Sequence, residues 1–265
     1  MLGIPASTPF DLRFRVLGFP TRIHPLFWLV TAFLGGLGRD GTTPLEVVLW
    51  IACVFVSILV HELGHALVAR FHGAWPAIIL HGFGGLCVYN EHQPPRQRLA
   101  VLFCGPGAGF VLCALTLAVG AAAFRLTAGE ALALLGAQVG ITGGALRGAL
   151  KVYSAGEVPA TIFWNLIHIN FWWGLVNLLP IWPLDGGQMT GEVLKLVDAR
   201  RPMRRTHIAG MFASGLLAVL VYKLWQDSFL TLFFAYFAFI NFQMLQAIHD
   251  QSARFGGDES EGWRW

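Results

Sequence analysis

Charge is what this sequence has least of. Asp, Glu, Lys and Arg make up only 12% of its 265 residues, about half the share of an ordinary soluble domain. Cysteine is also scarce. The four present (Cys53, Cys87, Cys104, Cys113) form no CxxC pair and lie in or beside apolar stretches. That spacing excludes a disulfide framework and a Cys-rich zinc module, and it fits small buried hydrophobes. The net charge is only +3, with basic residues scattered between apolar runs rather than gathered in one patch, so no nucleic-acid partner is expected. The opening "MLGIPASTPFDLRFRV" lacks a short apolar core with a cleavage site, and a removable signal peptide is not expected either.

What remains is hydrophobic. Apolar residues reach 55% and the mean hydropathy is +0.60, which places the chain among polytopic membrane proteins. Apolar runs occur at about 25–38, 45–71, 99–124, 160–179, 208–225 and 229–248. The expected fold is all-α, with about six transmembrane helices of roughly 20 residues each. The segment "AWPAIILHGFGGLCVYN" (74–90) is too short to span and rich in β-formers around glycines, so it reads as a small membrane-associated β-hairpin or re-entrant element. Residues 1–22 read as an exposed lead-in, 91–98 and 195–207 as polar or basic loops. Residues 129–150 are apolar but loaded with glycine. Residues 1–250 are expected to form one domain, with 251–265 a polar tail. The 31 glycines suit close helix packing in a bilayer.

Inside the second apolar run stands "FVSILVHELGHALVAR" (55–70). Ionisable groups at bilayer depth are expensive, so His61, Glu62 and His65 need a reason. On an α-helix, positions four apart differ by about 40° and 6 Å. The two imidazoles therefore face the same way and can share one zinc. Glu62 follows the first ligand and stands beside the metal without having to bind it. A catalytic zinc acidifies the attacking water to a pKa of about 7, and an adjacent carboxylate can take its proton. Random placement in a chain with nine histidines gives this motif in about one case in a hundred.

A catalytic zinc usually takes three protein ligands. Position 71, where one extended motif would place a third His, is Phe71. His72 lies about 10 Å beyond His65 by helical rise, and Glu91 sits in a polar loop. The better candidate is Asp185 in "NLLPIWPLDGGQ" (177–188), a carboxylate at the end of an apolar run after two prolines. Before Gly186 and Gly187 it would ordinarily be a turn residue.

Together these motifs resemble the site-2 protease family of intramembrane zinc metalloproteases. The similarity runs through "HELGHALVAR" (61–70), "GFGGLCV" (82–88), "CGPGAGF" (104–110) and "INFWWGLVNLLPIWPLDGG" (169–187). "GFPTRIHPLFWL" (18–29) is similar to the opening of the compact branch that includes bacterial sporulation-factor processing proteases. The resemblance implies one zinc per chain held by His61, His65 and Asp185, with Glu62 as general base and Asn177 contacting substrate. It also implies a sheet near 77–89, where Gly84, Gly85 and Leu86 would meet an unwound substrate strand. Relatives often carry Asn where this chain has Gly109.

The resemblance implies a single-span membrane protein as substrate, hydrolysed within or near its transmembrane segment, and a possible regulatory membrane protein as partner. Two rivals stand beside this reading. A metal or ion transporter would spread polar residues along several spans, whereas here they cluster. A catalytically silent, membrane-protein-binding relative would not need Glu62. Both zinc-bearing helix ends must reach one metal, so an odd number of spans separates them and 129–150 should not cross. Both termini then share a side with Arg13, Arg15, Arg22, Arg70 and the basic cluster at 195–205. The opposite side keeps only Arg39, Arg125, Arg147, Lys151 and Lys223. The excess marks the first side as cytoplasmic in a prokaryotic inner membrane, with the active site toward it.

Overall fold

A computed structural model describes residues 5–82, 84–89, 93–197 and 200–255; the polar tail expected at 251–265 lies outside these from 256 onward. The chain divides into two compact units, one of Met1–Glu91 with Cys104–Gly174, the other of His92–Phe103 with Leu175–Trp265.

The first unit opens with strands β1 (Leu12–Val16) and β2 (Phe19–Ile23), where the sequence suggested an exposed lead-in. Leu17 and Gly18 turn between them with φ of 49° and 86°. A two-residue turn with both φ positive matches the twist of a tight hairpin. Helices α1 (Pro25–Leu34) and α2 (Pro44–Phe71) follow, then β3 (Ala77–His81) and β4 (Gly84–Val88). The four strands form one sheet in chain order. β1–β2 and β3–β4 are antiparallel, while β2 and β3 run parallel with Thr21 opposite Ile78 and Ile23 opposite Leu80. The parallel step is possible because α1 and α2 carry the chain back between the two strands. Thr21, Ile23, Ile78 and Leu80 are buried. The apolar members of this sheet face join Phe27 of α1 and Cys53, Val54, Ile58 and Ala66 of α2 in one core.

α2 starts where Thr43 and Glu46 cap each other. Glu46 N–H donates to Thr43 Oγ1 at 3.2 Å and Thr43 N–H to Glu46 Oε2 at 2.7 Å, with Pro44 at the first helical position. Its 28 residues rise about 42 Å, more than a bilayer core requires.

The rest of the first unit surrounds a second core. α3 (Pro95–Ala123), α4 (Ala128–Ala137), α5 (Ala145–Ser154) and α6 (Glu157–Asn177) supply Cys113, Leu134, Val152, Phe163 and Ile167 to it. Residues 129–150, apolar but ambiguous in the sequence, form no single long helix. α4 and α5 have ten residues each, about 15 Å apiece. Gly140 and Gly144, with φ of 83° and 80°, break the chain between them.

In the second unit, α7 (Asp185–Leu196) is a helix that the sequence reading missed, having taken the region for a turn and a basic loop. Gly186 and Gly187 explain it. A Cβ at Gly186 would strike the backbone of Leu178 and Leu179, and one at Gly187 the backbone of Ile181 and Trp182. The first turn of α7 thus rests directly on the preceding loop. α8 (Pro202–Trp225) and α9 (Ser228–Phe255) pack as a pair, and Ala218, Val221, Phe234 and Phe237 enclose Ile181 and Leu184.

Among the described residues, four helices are long and apolar enough to cross a membrane: Pro44–Phe71, Pro95–Ala123, Pro202–Trp225 and the Ser228–Asp250 part of α9. The fold is mostly helical, as expected, with a four-stranded sheet in place of one small hairpin.

Candidate metal centre

His61, Glu62 and His65 lie in the second half of α2, all at least 94% buried. The helical spacing has its expected effect. His61 Nε2 and His65 Nε2 stand 3.2 Å apart, with the two rings nearly perpendicular at 80°. Two edge-on imidazoles converging on one point are a natural pair of metal ligands.

The neighbours that confine this pair are backbone. Gly105 of α3 lies so close to the His65 ring that a Cβ there would overlap it. One residue before His65 on α2, a Cβ at Gly64 would strike the carbonyl of Cys104 and come within 2.8 Å of Ala108. Helices lacking side chains at their crossing approach closely and lock the ring between them. The sheet closes another side. A Cβ at Gly85 would overlap the Glu62 carboxylate, with Glu62 Cδ at 2.5 Å. Gly84, with φ of 122°, has the Trp173 ring 3.1 Å from where its Cβ would be. The glycines singled out as places for close backbone approach are thus approached by the chain's own Glu62 and Trp173. Leu86 follows on β4, half-buried, at the sheet's edge.

One polar tie joins α6 to α2 through a partner that the sequence does not name. Asn170 of α6, 2% exposed, donates from Nδ2 to Ser57 Oγ at 2.8 Å. Ser57 precedes His61 by one helical turn, so this bond fixes α6 against the metal-facing stripe of α2. The i, i+4, i+8 spacing of Ser57, His61 and His65 is the signal that could have found it. Gly109 faces the same Asn170, whose Oδ1 would lie 3.7 Å from a Cβ, an ordinary contact.

Asp185 is buried and opens α7, where the helix dipole favours a negative side chain. Asn177 is the last residue of α6 and also buried. Two buried imidazoles whose Nε2 atoms converge are donors that suit a zinc ion.

A buried His-Glu-x-x-His motif on a helix long and apolar enough to cross a membrane is the pattern of a zinc metallopeptidase. The chain belongs to peptidase family M50, whose sequence model matches residues 49–222. Among its relatives, the Rip3 protein of Mycobacterium tuberculosis is 29% identical over 194 residues, covering 68% of this chain and 42% of that protein. Stage IV sporulation protein FB of Bacillus subtilis is 29% identical over 189 residues, covering 70% and 50%. Zinc metalloprotease MJ0392 of Methanocaldococcus jannaschii is 24% identical over 182 residues, covering 68% and 44%. The chain therefore spans half or less of the length of these relatives. In three dimensions it shares the fold of the site-2 protease from Methanocaldococcus jannaschii. The TM-score is 0.57 at 22% identity, covering 89% of this chain and 95% of that one.

Proposed function

We propose that this protein is an intramembrane zinc metalloendopeptidase that hydrolyses a peptide bond within or near the transmembrane segment of a single-span membrane protein. The observation that carries the proposal is the convergence of His61 Nε2 and His65 Nε2, 3.2 Å apart, with Glu62 buried on the same helix; Asp185 is the proposed third ligand. Zinc in this site would supply Lewis acidity to the scissile carbonyl and to the attacking water. The remaining work falls to side chains and backbone.

Glu62 takes the proton that the water loses and passes it to the nitrogen of the leaving amine. Its carboxylate is held for this between its own helix and the backbone at Gly85. A transmembrane helix hides its carbonyls in intrahelical hydrogen bonds, so the substrate must be locally unwound. β4 ends the four-stranded sheet and can take an added strand along Gly84–Leu86, the β-addition mode of peptide recognition. Asn177 supplies an amide to that strand. A regulatory membrane protein would act on the same assembly from within the lipid bilayer.

The test is Glu62→Gln in purified protein with a single-span substrate. Zinc should stay bound while turnover falls by about 10²–10⁴-fold, the usual worth of a general base. Undiminished cleavage by this variant would end the metallopeptidase reading, and so would cleavage by the wild-type protein stripped with a chelator. For orientation we propose a six-span chain in a prokaryotic inner membrane, both termini and the site toward the cytoplasm. The shortness of α4 and α5 supports it. Cysteines placed at positions 126 and 157 should react with an impermeant thiol reagent from one and the same side; labelling from opposite sides refutes the arrangement.

A further inference from the structure

Beyond the metal centre, the second unit holds a buried polar network that the proposed mechanism leaves unused. Asn241 of α9 is 0% exposed and His207 of α8 is 3% exposed, both within helices of membrane-crossing length. Asn241 Nδ2 donates to the carbonyl of Trp182 at 2.8 Å and to that of Phe237, one turn back on its own helix, also at 2.8 Å. Asn241 Oδ1 can only accept, so His207 Nδ1, at 3.0 Å, is the donor that fixes the amide's orientation. The His207 ring also stands edge-on to the Trp182 indole, with centroids 5.6 Å apart. Gly210 makes room for the network, since a Cβ there would lie 2.6 Å from Asn241 Oδ1.

The place these groups grip is what gives them meaning. Trp182 precedes Asp185 by three residues, and Gly187 of α7 rests on the Ile181–Trp182 peptide just before the carbonyl that Asn241 binds. The loop delivering Asp185 is thus held at two successive peptides, by the first turn of α7 and by the amide of Asn241. A polar pair costly to bury in a bilayer is retained where it can set the position of a carboxylate ligand. We infer that Asn241, oriented by His207, is a positioning residue for Asp185, so that the last helix of the chain tunes the metal affinity of the site. Asn241 lies beyond residues 49–222, where the family's sequence model matches. The inference rests on the proposed role of Asp185 as a ligand.

The experiment measures zinc affinity by chelator competition, and the visible spectrum of the cobalt(II)-substituted protein, on full-length chains in detergent. Wild type, Asp185→Asn, Asn241→Leu, Asn241→Gln and Ser214→Ala are compared. Ser214 is the control: it is buried on α8, and its hydroxyl bonds within its own helix, to Gly210 O at 2.6 Å and Met211 O at 3.3 Å. Asn241→Leu should weaken zinc binding about 10- to 100-fold, the usual effect of removing a ligand's supporting partner, and alter the cobalt spectrum. Asn241→Gln, which keeps the amide, should lose less, and Ser214→Ala should bind as wild type does. If Asn241→Leu only lowers the melting temperature while zinc affinity and cobalt spectrum stay as in wild type, the pair is structural and the inference is overturned. If Asn241→Leu does not fold, His207→Phe decides. It keeps the ring against Trp182 and removes the donor to Asn241, and unchanged zinc affinity in it refutes the positioning role. Normal zinc affinity in Asp185→Asn removes the ligand itself, and with it both this inference and the proposed donor set.

Discussion

Replacing Gly85 by alanine is the sharpest perturbation the structure offers, because one methyl group meets the proposed base and little else. The Cβ would lie 2.5 Å from Glu62 Cδ. Ordinary van der Waals contact begins near 3.4 Å, so the carboxylate must retreat by about 1 Å. It can do so by rotating its own side chain, since the obstacle is the end of a flexible group rather than backbone. The stability loss should therefore fall at the low end of the 1–3 kcal/mol typical of overpacking, about 1 kcal/mol. The catalytic loss should be much larger. A misplacement of 1 Å in a reacting group reduces turnover by about 10²-fold, equivalent to about 2.7 kcal/mol of barrier. Zinc binding should be unaffected, because neither imidazole is touched.

The assay pairs cleavage of a single-span substrate in proteoliposomes with metal analysis and thermal unfolding of the same preparation. The expected result is a fall in kcat of about 10²-fold at full zinc occupancy, with a modest shift in Tm. Turnover within twofold of wild type would show that Glu62 tolerates displacement, and would refute the argument that Gly85 exists to seat it. Loss of zinc would refute it differently, by showing that β4 supports the metal rather than the base.

Two other outcomes are expected. Proline at Leu86 or Val88 removes a ladder donor from β4 and should depress substrate cleavage more than zinc content. Indifference to proline at both positions would mean that no substrate strand adds there. Glu130, which caps α4 and pairs with Lys151 at 2.7 Å, has its carboxyl held down at about 2 by the Lys151 hydrogen bond first and the Thr127 backbone N–H next. A carboxylate whose folded pKa lies below its unfolded value of 4.5 stabilises the fold above pH 4.5, and loses that contribution as pH falls toward 2. The Tm difference between wild type and Glu130→Gln should be constant above pH 4.5 and shrink below it. A difference independent of pH down to 2 would contradict the ion pair.

The parts of this structure legible in the sequence are those set by local periodicity. His61 and His65 converge because helical geometry alone puts i and i+4 on one face, so the motif announced its own arrangement. The helices α2 and α3 were marked by the apolar runs at 45–71 and 99–124, and 129–150 was marked as anomalous by its glycines. What was hidden depended on partners distant in the chain. β1 and β2 alternate in the expected period of two, but the arginines between their apolar residues read as a solvated lead-in. Their tight turn uses Leu17 at positive φ, where a turn residue was not to be recognised. The parallel pairing of β2 with β3 joins segments separated by two helices. The helix that Asp185 opens was hidden because Gly186 and Gly187 usually mark turns. Here they are needed by the backbone of residues 178–182, which only the tertiary structure brings beneath α7. Asn241 had no local signature at all.

The glycines around α2 separate stability from function in a way that side-chain-based sites do not. Gly64, Gly85 and Gly105 each forbid a Cβ, but against different obstacles: the Cys104 carbonyl, the Glu62 carboxylate and the His65 ring. A carbonyl inside a helix cannot yield without moving the helix, so a methyl group at Gly64 acts on the α2–α3 crossing and hence on folding. An imidazole can yield only by turning about its side-chain torsions, so a methyl group at Gly105 acts on the angle at which His65 meets a metal. A carboxylate yields most easily, so a methyl group at Gly85 acts chiefly on proton transfer. Three identical substitutions, all on or against α2, should thus fail in three different measurements: unfolding, metal affinity and turnover. This follows because the site is bounded by backbone, which places its functional atoms rigidly and makes each missing side chain part of the chemistry it faces.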